Sequence, residues 1–224
     1  MSDRPGMTEW QFTRPAVAIR FILICVFLIP VMAVFSRRRT HGLENLQDLE
    51  GPVIFAANHL SVADNPAVLL ALPWPWRLRV ATAASREVMR DRGRIQSFLA
   101  ALISNGFHFS QAGSVRSSLD FCRRLTSAGW SLLFFPEGER SGDGTLGVFR
   151  PGIGLLAAGT GVPVVPVYIK GTDSVIAKGG SLPRRGRIVV SIGKPLRFCR
   201  NVGYAEATQQ IRTAVASLSQ ESVP

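Results

Sequence analysis

Two short stretches of the chain hold the residue types that proton transfer and anion binding require. The first is "NHLSVADNP", residues 58 to 66, in which His59, one of three histidines, precedes Asp64 by five positions. A carboxylate that accepts from one imidazole nitrogen leaves the other nitrogen free to act as a general base. On a continuous helix, residues five apart point about 140° away from each other, so the pair needs another geometry. Pro66 suits the first turn of a helix and biases Asn65 towards an extended conformation. The spacing therefore predicts a helix that starts near Pro66 and runs through "AVLLAL", capped by Asp64 or Asn65. Residues 58 to 64 then form a tight loop whose ends can meet. Two readings of this stretch stand side by side: a base with its orienting carboxylate, or a capping aspartate beside a hydrogen-bonded loop histidine.

The second stretch is "FFPEGERS", residues 134 to 141, which places Glu137, Glu139 and Arg140 directly after an apolar run, with Pro136 and Gly138 shaping the turn. Both signs of charge at a strand end suit a polar head group, with Arg140 in bidentate contact with a phosphate. The plainer alternative is a solvated loop with a local ion pair worth at most about 1 kcal/mol. Gly142, Gly144, Gly147 and Gly152 follow among Phe149, Arg150 and Pro151, a pattern for close backbone approach to a ligand or for a mobile turn. No G-x-S-x-G elbow and no cluster of metal ligands is present in the sequence, so neither a serine acyl-enzyme nor a metal centre is expected.

The elements that must position these residues read as an α/β domain, with a central, mostly parallel sheet flanked by helices. Strands are predicted at "PVIFAA" (52 to 57), "LRVATAA" (78 to 84), "WSLLFF" (130 to 135), "VPVVPVYI" (162 to 169) and "RIVVSIG" (187 to 193). Helices are predicted over 115 to 128 and 152 to 159, and periodicity leaves Leu99 to Ser104 open between a helix end and a short apolar run. Tyr204, Ala207, Ile211, Ala214 and Leu218 recur at helical spacing, which predicts a closing helix docked on the domain. In such sheets ligands bind outside the carboxyl ends of the strands, and both candidate stretches directly follow a strand. "PRRGR" at 183 to 187 reads as a basic surface turn.

Ahead of this domain, residues 16 to 35 form one long apolar run, uncharged from Phe21 to Phe35. Fifteen helical residues rise about 22 Å, short of a hydrocarbon core of about 30 Å. Counting back to Ala16 reaches a marginal span that includes Arg20, and Pro30 is expected to kink the helix. Spanning and interfacial insertion both remain open. "SRRRTH" comes next, where a small-residue cleavage site would stand, so a cleaved signal peptide is not expected. The chain divides accordingly into a membrane-associated segment, 1–40, and a catalytic-size domain, 41–224. If the segment spans, Arg37, Arg38 and Arg39 favour a cytoplasmic location for that domain, at the cell membrane, against Arg14 and Arg20 on the other flank.

Charge and cysteine usage narrow the partners. A formal charge of +11 calls for an anionic partner, and 46% hydrophobic residues with no nucleic-acid-binding motif point to a membrane surface, with no nucleic acid expected. Cys25, Cys122 and Cys199 are odd in number and far apart, which fits a reducing compartment, and Cys122 reads as a small buried thiol at helical spacing.

Taken in order, these pieces resemble the glycerolipid acyltransferase family that includes bacterial 1-acyl-glycerol-3-phosphate acyltransferases. "HGLENL" leading into "GPVIFAANHLSVAD" resembles its H-x4-D motif, and "FPEGERS" its F-P-E-G-T-R-S motif. "GVFRPGIGLLA" and "VPVVPVYIKGT" resemble the family's two later motifs, so the likeness covers about residues 41 to 198. It implies that His59 is the general base and Asp64 its orienter, and that the acceptor hydroxyl attacks an acyl thioester directly. It assigns Glu137, Gly138 and Arg140 to acceptor or phosphate binding, with Ser141 and Arg150 as further substrate-binding candidates from the same motifs, and Pro166 to the acyl-donor side. The implied donor is acyl-CoA or acyl carrier protein and the implied acceptor a lysolipid, most simply 1-acyl-glycerol 3-phosphate; no metal or cofactor is implied. Another lysophospholipid or a lyso-aminolipid is the alternative acceptor. A basic membrane-binding protein without turnover is the alternative of a different class, and it has no use for an intact His59 and Asp64. Two positions depart from the family pattern. Glu139 stands where the family has Thr, and "NGFHFSQ" offers Gln111 where an acceptor-binding arginine is usual, leaving Arg116 as a substitute or a different acceptor.

Overall fold

The computed structural model describes residues 9–84, 105–108, 115–141, 144–177, 180, 182–199 and 201–221. Its centre is one seven-stranded sheet made of β1 (Ser36–His41), β2 (Ile54–Ala57), β3 (Val80–Ala84), β4 (Gly106–His108), β5 (Ser131–Phe134), β6 (Val164–Lys170) and β7 (Gly186–Ile192). The order across the sheet is β1-β7-β6-β2-β5-β3-β4, and every neighbouring pair is parallel except β6 with β7. All five predicted strands are present. β2 and β5 are buried at every position, as expected of central strands covered on both faces.

Two strands lie outside the sequence expectation. β1 is the run "SRRRTH", whose charge marks it as the flank of an apolar segment. It is nevertheless an edge strand in which Ser36 is buried and Arg38 and Thr40 are half-buried, while Arg37, Arg39 and His41 face out. The residue-40 boundary therefore falls inside β1. The other is β4, three residues long, too short to show a period.

Helices cover both faces. One layer packs Phe55, Ala57, Leu133, Val165, Val167, Ile169, Ile188, Val190 and Ile192 of the sheet under the helix Asp64–Ala71. The opposite layer packs Ile54, Ala56, Leu132, Phe134 and Val164 under the helices Val115–Ser127, Gly152–Thr160 and Tyr204–Glu221. With the N-terminal helix Arg14–Phe35 as α1, these four are α2, α3, α4 and α5 in chain order. Cys122 is fully buried in the second layer, and burial pushes its thiol up to about 12. Leu99 to Ser104 and Gln111 lie outside the described residues.

α1 rises about 33 Å at 1.5 Å per residue and does not break at Pro30. Instead, the hydrogen-bond ladder widens to π spacing over Ile24–Leu28, with the Ile29 N–H reaching Ile24 O one residue before the proline. Arg20 also departs from expectation. It is buried, and its guanidinium donates to Gln11 O and to Asn105 Oδ1, each at 2.9 Å. The charge thus points into the protein and leaves the outer surface of the helix to Ile19, Ile22, Val26, Phe27, Val31 and Val34.

Candidate active site

β2 ends at Ala57, yet its pairing with β6 continues through a side chain. Asn58 Oδ1 accepts from Ile169 N at 2.7 Å and Asn58 Nδ2 donates to Ile169 O at 2.9 Å, so a primary amide stands in for one more peptide of the ladder. The chain is then free to turn at His59. α2 begins at Asp64, two residues earlier than expected, with Asn65 helical and Pro66 still in the first turn. Asp64 does not cap the helix ahead of it. Its carboxylate faces back into the loop, where Oδ2 accepts from Leu60 N at 2.6 Å, Ser61 N at 2.9 Å and His59 Nδ1 at 2.7 Å.

The other carboxylate oxygen accepts from Thr172 Oγ1, just beyond β6. Asp64 is completely buried with four donors converging on it, and each of these contacts uses a carboxylate oxygen as acceptor. Nδ1 of His59 is thus the donor in this pair, which leaves Nε2 as the ring nitrogen that faces away from Asp64. Nε2 makes no hydrogen bond among the described residues, and the side chain remains 23% exposed. Its ring stacks on Phe135, with centroids 4.4 Å apart, which fixes the imidazole plane.

The two candidate stretches meet. Glu137 Oε1 accepts from His59 N at 2.9 Å, and Ser141 N donates to His59 O at 2.8 Å. Glu137 Oε2 accepts from Gly147 N at 3.0 Å. Burial raises the Glu137 carboxyl above the ordinary glutamate range, partly offset by these two N–H groups. Glu137 is thus a clasp that joins the loop after β2, the loop after β5 and the segment before α4.

Gly138 has a φ of +76°, and a Cβ there would fall 2.5 Å from Arg150 Cζ and Nε. The position needs glycine both for its left-handed backbone and for the guanidinium beside it. Arg150 Nε donates to Glu137 O at 3.2 Å, and Arg150 Nη2 lies 3.5 Å from Glu139 Oε1, an exposed pair. Glu139 therefore adds its charge beside Arg150. Arg140 and Ser141 are on the same loop, with Ser141 half-buried and Arg140 within reach of solvent, and Arg116 is exposed in the first turn of α3.

Pro166 is the site candidate that the structure does not bring to His59. It is buried in β6 on the face under α5, where it lines a cavity of about 580 Å³ with His41, Gly193 and Leu218. That cavity lies at the carboxyl ends of β1 and β7, which is the end of the sheet away from Asp64. Val164 opposes Leu196 while Val167 opposes Ile192, so the second strand carries one extra residue between them. Pro166 sits at this bulge, where a missing N–H is tolerated.

Residues 37–170 match the family model described as Acyltransferase. The chain belongs to the acyltransferase family. Over 173 residues it is 34% identical to the chloroplastic 1-acyl-sn-glycerol-3-phosphate acyltransferase BAT2 of Brassica napus, covering 72% of this chain and 46% of the relative. It is 32% identical over 178 residues to the lysophospholipid acyltransferase LPCAT4 of Mus musculus, covering 76% of this chain and 32% of that one. The chain spans about half the length, or less, of these curated relatives. Among solved structures it resembles the 1-acyl-sn-glycerophosphate acyltransferase PlsC of Thermotoga maritima, with a TM-score of 0.71 and 25% identity over 95% of this chain and 86% of that one.

Within this acyltransferase fold the supports of the dyad are what sequence reasoning missed. Asn58, Ser61, Phe135 and Thr172 hold the loop, and Ser61 Oγ donates to Ile176 O at 2.6 Å. Thr172 stands 108 positions after Asp64, so no local pattern links the two.

Proposed function

We propose that the protein moves a fatty acyl group from a thioester, acyl-CoA or acyl carrier protein, to a lysolipid hydroxyl. 1-Acyl-glycerol 3-phosphate is the acceptor put forward, giving phosphatidic acid for phospholipid synthesis. The observation that carries this reading is the His59–Asp64 pair, with Nε2 open and Nδ1 fastened. Nε2 takes the proton of the acceptor hydroxyl as its oxygen attacks the thioester carbonyl carbon. The tetrahedral adduct then expels the thiolate, which leaves as the thiol with the proton held on the imidazolium, while Asp64 stabilises that imidazolium.

Arg140, Ser141 and Arg150 are the proposed contacts for the acceptor phosphate, on the loop that ends beside His59. Glu137 and Gly138 shape that loop, and Pro166 is retained as a proposed determinant on the acyl-donor side. Residues 1–40 are proposed as an N-terminal membrane-associated segment, with α1 as the part that meets lipid, and 41–224 as the acyltransferase domain. The apolar outer surface of α1 supports attachment to the cell membrane, with the domain on its cytoplasmic side. Likeness to a lysophospholipid acyltransferase keeps a second acceptor in view, another lysolipid with the same free hydroxyl.

Thiol release with a panel of lysolipids tests the reading. Wild-type protein is expected to release thiol with 1-acyl-glycerol 3-phosphate. His59→Ala is expected to abolish release while still binding vesicles. Undiminished turnover by His59→Ala would remove the proposed base, and activity confined to acceptors without phosphate would replace the proposed acceptor.

A further inference from the structure

The sheet carries a basic face that the dyad does not use. β1 pairs with β7 in parallel register, so Arg37 lies beside Arg187 and Arg39 beside Val189. β7 pairs with β6 so that Val189 lies beside Lys170. Side chains alternate along strands, and Ile188, Val190, Val167 and Ile169 take the face under α2. Arg37, Arg39, Arg187 and Lys170 therefore share the other face. At about 4.8 Å between strands their Cα atoms lie within roughly 12 Å of one another.

All four are exposed, and none forms an ion pair or side-chain hydrogen bond among the described residues. Arg184 and Arg185, immediately before β7, are exposed as well. Like charges placed side by side on neighbouring strands cost stability unless something offsets them.

We infer that this face docks an acidic protein, the carrier that presents the acyl thioester. The inference rests on the proposed acyl transfer and names its donor. Three observations favour it. First, Lys170 is followed directly by Gly171 and Thr172, and Thr172 holds Asp64, so the patch borders the catalytic end of the sheet. Second, the four cations are spread over three neighbouring strands and none of them lines the cavity beside Pro166, which suits a broad protein contact rather than a nucleotide pocket. Third, Ile24, Leu28, Ile29, Met32 and Phe35 of α1 join the layer on the opposite face. When the outer surface of α1 meets a lipid surface, the sheet stands between that surface and the four cations. The patch then looks towards solvent, where complementary charge steers an acidic partner and sets its approach.

Arg37→Glu combined with Arg187→Glu tests this, with 1-acyl-glycerol 3-phosphate as acceptor and palmitoyl acyl carrier protein or palmitoyl-CoA as donor. The double variant is expected to raise KM for the carrier-protein thioester at least tenfold and to leave KM for palmitoyl-CoA within twofold. The wild-type KM for the carrier thioester is expected to climb with salt. The pair Arg37→Gln and Arg187→Gln, which removes charge without reversing it, is expected to show a smaller shift in the same direction and answers the question if the reversal does not fold. Equal changes with both donors, or no change with either, would overturn the inference. So would a loss of binding to phosphatidylglycerol vesicles with an unchanged carrier-protein KM, which would assign the patch to lipid. Titrating the wild-type protein with acyl carrier protein separates the two levels of the proposal. Binding that the reversal removes supports the surface even if neither donor is turned over. Absence of binding rejects it even if palmitoyl-CoA is turned over.

Discussion

At the residue scale, the geometry around Glu137 separates the loop's architecture from its chemistry. The family likeness points to this glutamate as part of acceptor binding, but both of its oxygens are occupied by main-chain N–H groups, one of them on His59. Burial raises its pKa, so the fold favours the protonated form relative to the unfolded chain. Its contribution to stability is therefore present in full below the unfolded glutamate pKa and is lost as pH rises through the higher folded value. Glu137→Gln has no such titration. Urea unfolding across this range should show wild-type stability declining relative to Glu137→Gln as pH rises. Turnover of the variant should fall across the same range, because the amide cannot offer acceptors to both N–H groups. A wild-type stability that climbs relative to the variant with pH would contradict the role assigned to burial. His59, Asp64 and the loop after β5 were legible in the sequence because residue type and adjacency to an apolar strand mark them. Asn58 and Thr172 were not, because their partners Ile169 and Asp64 are brought close only by the parallel packing of β2 and β6.

At the element scale, the strands that were legible are those whose burial writes itself into composition. β2, β5 and β6 are apolar at nearly every position, whereas β1 gains its place from backbone pairing with β7 and carries three arginines. The π-widened turn of α1 was likewise hidden, since Pro30 signals a break but not how neighbouring bonds absorb it. Close approach between helices gives this scale its prediction. A Cβ at Gly154 in α4 would stand 1.9 Å from Tyr204 O and 2.4 Å from Thr208 Oγ1 at the start of α5. The first contact is with backbone, so no rotamer change relieves it. Gly154→Ala should cost about 1–3 kcal/mol, as overpacking of cores does. For a chain of this size that corresponds to a Tm lower by roughly 2–12 °C in a thermal melt. An unchanged Tm would mean that α5 moves away from α4 without loss.

At the scale of the whole molecule, the two faces of the sheet have different surroundings, and α1 decides which is which. Its inner side gives Ile24 and Met32 to the first core layer and turns Arg20 inward, so the helix is a packed part of the domain along much of its length. Docked in this way the helix offers lipid its outer side, although its length and mean hydropathy of 2.8 would allow a span. Its outer side exposes Val26 and Phe27, 57% and 58% accessible, and Phe21 lies 5.0 Å from the exposed Trp74 ring. Apolar residues on one side of a helix, with an aromatic ring at the margin, are the composition of an interfacial anchor. Each large apolar side chain transferred from water contributes about 1.5–3 kcal/mol. Val26→Ser combined with Phe27→Ser should therefore weaken partitioning onto vesicles by on the order of a hundredfold or more. Neither residue belongs to the buried core, so the melting temperature should stay near that of the wild type. Turnover of a short-chain, water-soluble lysolipid should persist, while turnover of vesicle-borne lysolipid should fall with the partitioning. Alkaline carbonate should release the wild-type protein from membranes. Retention of both wild type and variant after that treatment would require α1 to leave the domain and cross the bilayer, and would reverse the orientation on which the solvent-facing basic patch depends.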